Sequence, residues 1–213
     1  MDVYASEQEQ IEALKKWWRE NAVALITGAV IGLGGLFGWQ YWQKHVDERG
    51  AAASAQYEAI YVAAQAGRHD EVLEQGKVVV GQYADTPYAA LSALMMARAH
   101  VEQGDLGAAE ERLRWVLANG DTDELRHVAR IRLARVLLEQ GEHAAVQALL
   151  QGVEFGTFAS DYHEIQGDLA LVDGDTKAAR DAYRKALGRN PANSALIQLK
   201  LDDLGLTADE AIR

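Results

Sequence analysis

The chain has 213 residues, with 21 Lys plus Arg against 32 Asp plus Glu and no cysteine. Its formal charge of -11 disfavours phosphate backbones, so nucleic-acid binding is not expected, and the lack of thiols excludes disulfide staples, zinc-thiolate sites and a cysteine-linked lipid anchor. Alanine is abundant, proline occurs only at Pro87 and Pro191, and β-branched runs are scarce, so the composition points to an all-α protein.

The first expected element is a short amphipathic helix within residues 1–21. Ser6 followed by Glu9 has the spacing of a capping box, and Ile11, Leu14 and Trp18 recur at helical spacing. From Ala22 to Trp42 run 21 residues without a charge, a helix of roughly 31 Å against a hydrocarbon core of about 30 Å. Val23, Leu25, Ile26, Val30, Ile31, Leu33, Leu36 and Phe37 each favour insertion by roughly 0.3 to 0.6 kcal/mol. Trp17 and Trp18 precede the stretch, while Trp39, Tyr41 and Trp42 end it, so aromatic rings fall at both expected interfaces. A cleaved leader would have a shorter apolar core closely followed by small residues. Here "KHVDERG" intervenes before "AAASA", and a retained signal anchor is expected. Lys15, Lys16 and Arg19 lie on the short flank, which places the N-terminus in the cytoplasm by the positive-inside rule, although Lys44 and Arg49 oppose it. In a Gram-negative cell the C-terminal domain would then be periplasmic.

Glycines within the span invite a second reading. Gly32, Gly34 and Gly38 give Gly-x-Gly-x-x-x-Gly, one residue too long for a dinucleotide fingerprint, and no Gly-Lys-Ser/Thr follows. No cofactor is expected. Gly28, Gly32 and Gly35 share one helical face, with Ile26, Val30, Leu33 and Phe37 opposite. Such a face lets a second helix approach closely in lipid, and Gly34 with Gly38 adds another Gly-x-x-x-Gly pair. The competing reading is that glycine is simply common in membrane helices.

Residues 43–50 are expected to link the span to a domain covering 51–213. Removing the three cations and five acids of the first 43 residues leaves 18 Lys plus Arg and 27 Asp plus Glu, a formal charge of -9. The segments "AGRHDEVLEQ", "QGDLGAAEERL", "QGEHAAVQALL" and "DGDTKAARDAY" place Gly67, Gly104, Gly141 and Gly174 before amphipathic runs, at spacings of 37, 37 and 33. That is the period of a helix-turn-helix repeat, near the 34 residues of a tetratricopeptide unit. The last unit is the most explicit: Gly167, Gly174, Ala179, Tyr183, Ala186 and Pro191 match small residue, turn glycine, small residue, aromatic, alanine and closing proline. In that pattern the aromatic fills the gap toward the next helix pair. Earlier units keep only apolar positions: Ile60, Val72, Gly76 and Val79; Ala97, Ala109, Leu113 and Val116; Ala134, Val146, Leu150 and Val153. Beyond Pro191, Ala195, Ile197, Leu199, Leu201 and Leu204 supply a terminal helix to cover the last open face. The expected architecture is all-α: a single N-terminal transmembrane helix, then a tetratricopeptide-like solenoid of about four helix pairs and a C-terminal capping helix.

The whole chain resembles the YfgM family, ancillary subunits of the bacterial SecYEG translocon. Its specific marks are Tyr4, Glu9, Gln10 and Glu12 before the Trp17-Trp18 pair, and the span ending in Gly38, Trp39, Tyr41 and Trp42. The resemblance implies an inner-membrane protein with a periplasmic repeat domain, associated with SecYEG and with the membrane-anchored periplasmic chaperone PpiD, assisting proteins that leave the channel. It supplies no catalytic motif.

The residues that could carry chemistry are scattered. The six histidines form neither His-Glu-x-x-His nor a ligand cluster, Ser160 and Ser194 lack a nucleophile-elbow context, and Asp161 with Glu164 reads as a solvated helix face. Neither an enzyme nor a metal site is expected. Recognition remains, and the first helix of each pair would line a concave surface: Tyr57, Tyr61, Leu91, Leu94, Arg98, Val101, Val128, Ile131, Arg135 and Leu138. Arg98 and Arg135 occupy equivalent positions, so an apolar groove with two guanidinium groups could hold an extended or helical peptide and grip a carboxylate bidentately. Alternatively, these apolar residues pack against the terminal helix and both arginines pair with acidic neighbours. Two other functional classes stay open: a regulatory tether whose Ile11–Trp18 segment captures a cytoplasmic signalling protein, and a scaffold for envelope assembly.

Overall fold

A computed structural model describes residues 3–189 and 193–205, with side chains described from Glu9 onward. All its elements are helical: α1 (Val3–Gln65), α2 (His69–Gln82), α3 (Pro87–Glu102), α4 (Leu106–Asn119), α5 (Asp123–Glu139), α6 (His143–Leu150), α7 (Ala159–Val172), α8 (Thr176–Leu187) and α9 (Ser194–Asp203). A short 3-10 turn at Gly156–Phe158 precedes α7. The chain divides into two units, Met1–Ala51 and Ala52–Arg213.

Within the first unit α1 already begins at Val3, so Ser6 lies inside the helix. This corrects the capping-box expectation, because an N-cap residue must stand outside helical backbone geometry. No break separates residues 9–21 from the apolar stretch, and residues 43–50, expected as a linker, are helical as well. Every residue from Val23 to Glu48 is exposed. Among the described residues this is the one helix long and apolar enough to cross a membrane.

The second unit consists of helix pairs. Residues 52–65 of α1 pair with α2, then α3 with α4, α5 with α6 and α7 with α8, before α9 closes the series. Each pair turns at a glycine that the sequence singled out: Gly67, Gly104, Gly141 and Gly174 have φ of 68°, 79°, 77° and 83°. That left-handed conformation is nearly free of steric cost only for glycine. Each turn repeats one hydrogen-bond pair; at the second, the Gly104 N–H donates to the Val101 carbonyl and the Asp105 N–H to the His100 carbonyl. These bonds satisfy the last carbonyls of the first helix. Asp105 and Asp175 then accept from the backbone N–H of Ala108 and Ala178, starting α4 and α8.

Packing follows the expected register. Ile60, Val72, Gly76 and Val79 are buried, as are Ala97, Ala109, Leu113 and Val116, and Ala134, Val146 and Leu150, while Val153 is half-buried. A large core runs from α3 to α7, with smaller ones gathered at Ile60, Val72 and Val79 and at Tyr183, Ile197 and Leu201. Tyr183 lies over Gly167 of its own pair and also faces α9, so it seals more than the gap toward the next element. Of the five apolar residues assigned to the terminal helix, Ile197 and Leu201 are buried, Leu204 is half-buried, and Ala195 and Leu199 are exposed. A helix laid on one surface buries one stripe only, worth about 1.5 to 3 kcal/mol per large aliphatic side chain. Pro191 lies outside the described residues.

Candidate partner groove

The ten side chains expected along the first helices have distinct environments. On α1, Tyr57 is half-buried, its ring 5.8 Å from that of Tyr88, and Tyr61 is exposed. On α3, Leu94 is part of the large core, Leu91 is half-buried, and Arg98 and Val101 are exposed. On α5, Ile131 is a core residue, Val128 and Leu138 pack against that core, and Arg135 is exposed.

Residues of α3, α4 and α5 line an open groove of about 270 Å³: Ala97, Arg98, Val101, Glu102, Leu113, Arg132 and Val136. Arg98 and Val101 are the two expected residues that line it. Arg132 and Val136 were missed because the 37-residue period aligns Arg98 with Arg135, whereas the α5 residues lining the cavity with Arg98 begin almost one turn earlier. A signal was present in the sequence: Arg132 has no acidic residue three or four positions to either side, whereas Arg98 has Glu102.

The arginines differ in their partners. Arg98 Nε donates to Glu102 Oε1 at 2.7 Å, and the other oxygen of Glu102 lies 3.1 Å from His69 Nδ1. Arg135 Nη2 lies 3.3 Å from Asp161 and 3.2 Å from Glu164. Arg132 makes no ion pair with any carboxylate among the described residues. Desolvation in the groove wall, then repulsion by Arg135 and Arg98, lowers its affinity for the proton, with Tyr57 acting weakly the other way. A guanidinium stays charged through such a shift.

Comparison with known proteins settles the family. The tetratricopeptide repeat-like domain family matches residues 15–206. A protein of Aggregatibacter actinomycetemcomitans named ancillary SecYEG translocon subunit is 33% identical over 199 residues, covering 93% of this chain and 97% of the relative. Its namesake in Haemophilus influenzae is 31% identical over 205 residues, with 94% and 99% covered. The Escherichia coli K12 protein of that name is 29% identical over 208 residues, with 97% and 100% covered. The chain belongs to the YfgM family.

This YfgM-family chain has a second polar cluster, where α9 meets α7, that sequence reasoning assigned wrongly. Glu164 was expected on a solvated face, yet it is only 2% exposed. Lys200 Nζ donates to it at 2.8 Å, Asn193 Nδ2 at 2.7 Å and Arg135 at 3.2 Å. Lys200 also donates to both oxygens of Asp168, at 2.7 and 2.9 Å, and Asp168 accepts from the Tyr183 hydroxyl at 2.7 Å. The reason is tertiary: α9 brings Asn193 and Lys200 onto α7 across 29 and 36 residues of sequence. Burial opposes ionisation of Glu164, but Lys200, Asn193 and Arg135 outweigh it and hold the carboxyl below its ordinary range. Burial likewise disfavours the Lys200 ammonium, and Asp168 and Glu164 more than compensate. Tyr183 is pushed well above the usual phenol range by burial and then by Asp168 and Glu164. With its carboxylates and cation mutually satisfied, this cluster is a clamp for α9 rather than an acid-base centre.

Proposed function

We propose that the chain is a membrane-anchored accessory subunit of the Sec translocon, working through protein-protein contacts and without catalysis. The observation that carries this reading is near-full-length similarity to relatives named ancillary SecYEG translocon subunits, in a chain whose apolar helix precedes a repeat domain. The apolar stretch of α1 is the inner-membrane anchor, with the N-terminal flank cytoplasmic and the repeat domain periplasmic. Gly28, Gly32 and Gly35 form the face that receives a translocon helix; among the described residues of the first unit none lies within 4 Å of a Cβ added at any of them, which leaves room for a neighbour. The repeat domain assists emerging proteins or a periplasmic chaperone such as PpiD through the exposed part of its groove.

In-cell photocrosslinking tests this, with a probe placed in turn at Gly32, Arg98 and Leu14. Translocon subunits are expected at Gly32, a chaperone or emerging chains at Arg98, and nothing at Leu14. A soluble cytoplasmic protein at Leu14, with self-adducts alone at Gly32, would overturn the proposal in favour of a regulatory tether.

A further inference from the structure

Among the described residues Arg132 pairs with no carboxylate, and it stands in the wall of an apolar groove. Its apolar lining is Ala97, Val101, Leu113 and Val136. The cavity's single carboxylate, Glu102, is already engaged on one oxygen by Arg98 and on the other by His69. Arg135 is held by Asp161 and Glu164. Among the described residues the groove therefore combines an open apolar volume with a positive charge that no carboxylate meets.

We infer that this cavity selects an internal, extended peptide segment in which a large aliphatic side chain is followed two residues later by Asp or Glu. The aliphatic side chain enters among Val101, Leu113 and Val136, and the carboxylate meets Arg132. Size permits this: the groove's volume of about 270 Å³ is more than one large aliphatic side chain fills, which leaves room beside it. Side chains two apart in an extended chain share a face and stand roughly 6.6 Å apart, so the acid two residues on is presented to the same groove whose lining includes Arg132. Adjacent side chains point to opposite faces, so an acid at the next position would miss Arg132. The negative charge of the whole domain does not forbid an acidic ligand, since the screening length near 8 Å at physiological salt leaves local charges dominant. Choosing an internal segment over a free C-terminus rests on the proposed function, because a chain leaving a translocation channel presents its internal segments before its end.

The test uses the full chain in lipid nanodiscs and fluorescent peptides of sequence Gly-Ser-Leu-Ser-Glu-Ser-Gly, acetylated and amidated at their ends, with binding read by anisotropy. Replacing the peptide's Glu by Gln should weaken binding about tenfold, the scale of a lost charge-assisted hydrogen bond. Arg132→Gln should erase that discrimination, and Arg132→Glu should reverse it toward a Lys-containing peptide. Arg132 is exposed, so neither variant should disturb the fold, which circular dichroism checks. Equal binding of the Glu and Gln peptides, no binding of either, or binding that appears only with a free C-terminal carboxylate would each overturn the inference. Co-purification of Arg132→Gln with the translocon separates the two levels. Retained association with lost peptide preference is expected. Absence of association in the wild-type chain would overturn the proposed function and leave the peptide preference to be judged on its own data.

Discussion

In the N-terminal unit a Cβ added at Gly28, Gly32 or Gly35 would meet nothing within 4 Å, whereas in the repeat domain one at Gly167 would lie 2.4 Å from the Tyr183 ring and one at Gly76 2.5 Å from Met96. The same residue type thus has opposite surroundings on either side of Ala51. Inside the domain, small residues answer to side chains of the same chain, and their replacement should register as lost folding stability. In the apolar stretch they answer to no described residue of their own unit, and the consequence of replacing them is to be sought in association. Comparing the two units through substitution therefore separates self-packing from partner packing.

The largest effect on the domain side should come from the α9 clamp. Lys200→Met leaves Glu164 almost fully buried with Asn193 and Arg135 as its remaining donors. Breaking a buried pair costs about 3 to 5 kcal/mol. Lys200 is partly exposed and Glu164 keeps two donors, so about 2 to 3 kcal/mol is expected in urea unfolding, with the greatest gain of hydrogen exchange in α9. Acid should act in the same place. Glu164 has a folded pKa below its unfolded value, so its contribution is complete above the ordinary carboxylate range and is lost as pH falls through the depressed folded value. Lys200 has the opposite sign: its contribution is complete below the unfolded lysine pKa and is lost as pH rises through the elevated folded value. Exchange protection of α9 should thus be greatest at intermediate pH and fall toward both ends. A flat profile would contradict the clamp.

Second in size is Gly167→Ala. Tyr183 is fully buried and its hydroxyl is held by Asp168 at 2.7 Å, so the ring has little freedom to withdraw. Overpacking of about 1 to 3 kcal/mol, reduced by about 1 kcal/mol for the better helix former, leaves a net loss of about 0 to 2 kcal/mol, and the held ring puts Gly167→Ala at the upper end of that range. Gly76→Ala should cost less, between zero and about 1 kcal/mol, because the methionine side chain has three rotatable bonds with which to move aside. Thermal unfolding of both variants checks the order. A larger loss at Gly76 than at Gly167 would mean that rigidity of the neighbour does not govern the cost.

The four turns were legible in the sequence because each is a local event: a glycine, a bonding pattern closed within five residues, and an amphipathic run on either side. The alternation of buried positions was legible for the same reason. Glu164 was not, since the partners that bury it arrive from 29 to 36 residues away and none of them lies at helical spacing. Arg132 lies between these cases. Its missing i±3 and i±4 acids were visible in the sequence, but the repeat period directed attention to Arg135, which the structure pairs with Asp161 and Glu164. A repeat period aligns backbone positions. It does not say which side chain of a turn faces the neighbouring helix, because that depends on the crossing of the two helices.

The smallest expected effect on folding is the most diagnostic for the other unit. Gly32→Ala adds a methyl group to a face that no described residue of its unit approaches, so unfolding of the repeat domain should be unchanged within about 0.5 kcal/mol, as for substitutions away from any packed feature. If the face receives a neighbouring membrane helix, the same methyl keeps the two backbones apart, and Gly32→Leu should do so more strongly. The control lies on the opposite side of the helix, where Val30→Leu enlarges a side chain without touching the glycine face. A graded fall in membrane crosslinks from Gly32 to Ala to Leu, with Val30→Leu unaffected, would place the contact on the glycine face. Equal losses at both positions would assign the effect to the bulk of the span, and the contrast between the two units would then reduce to the presence or absence of self-packing.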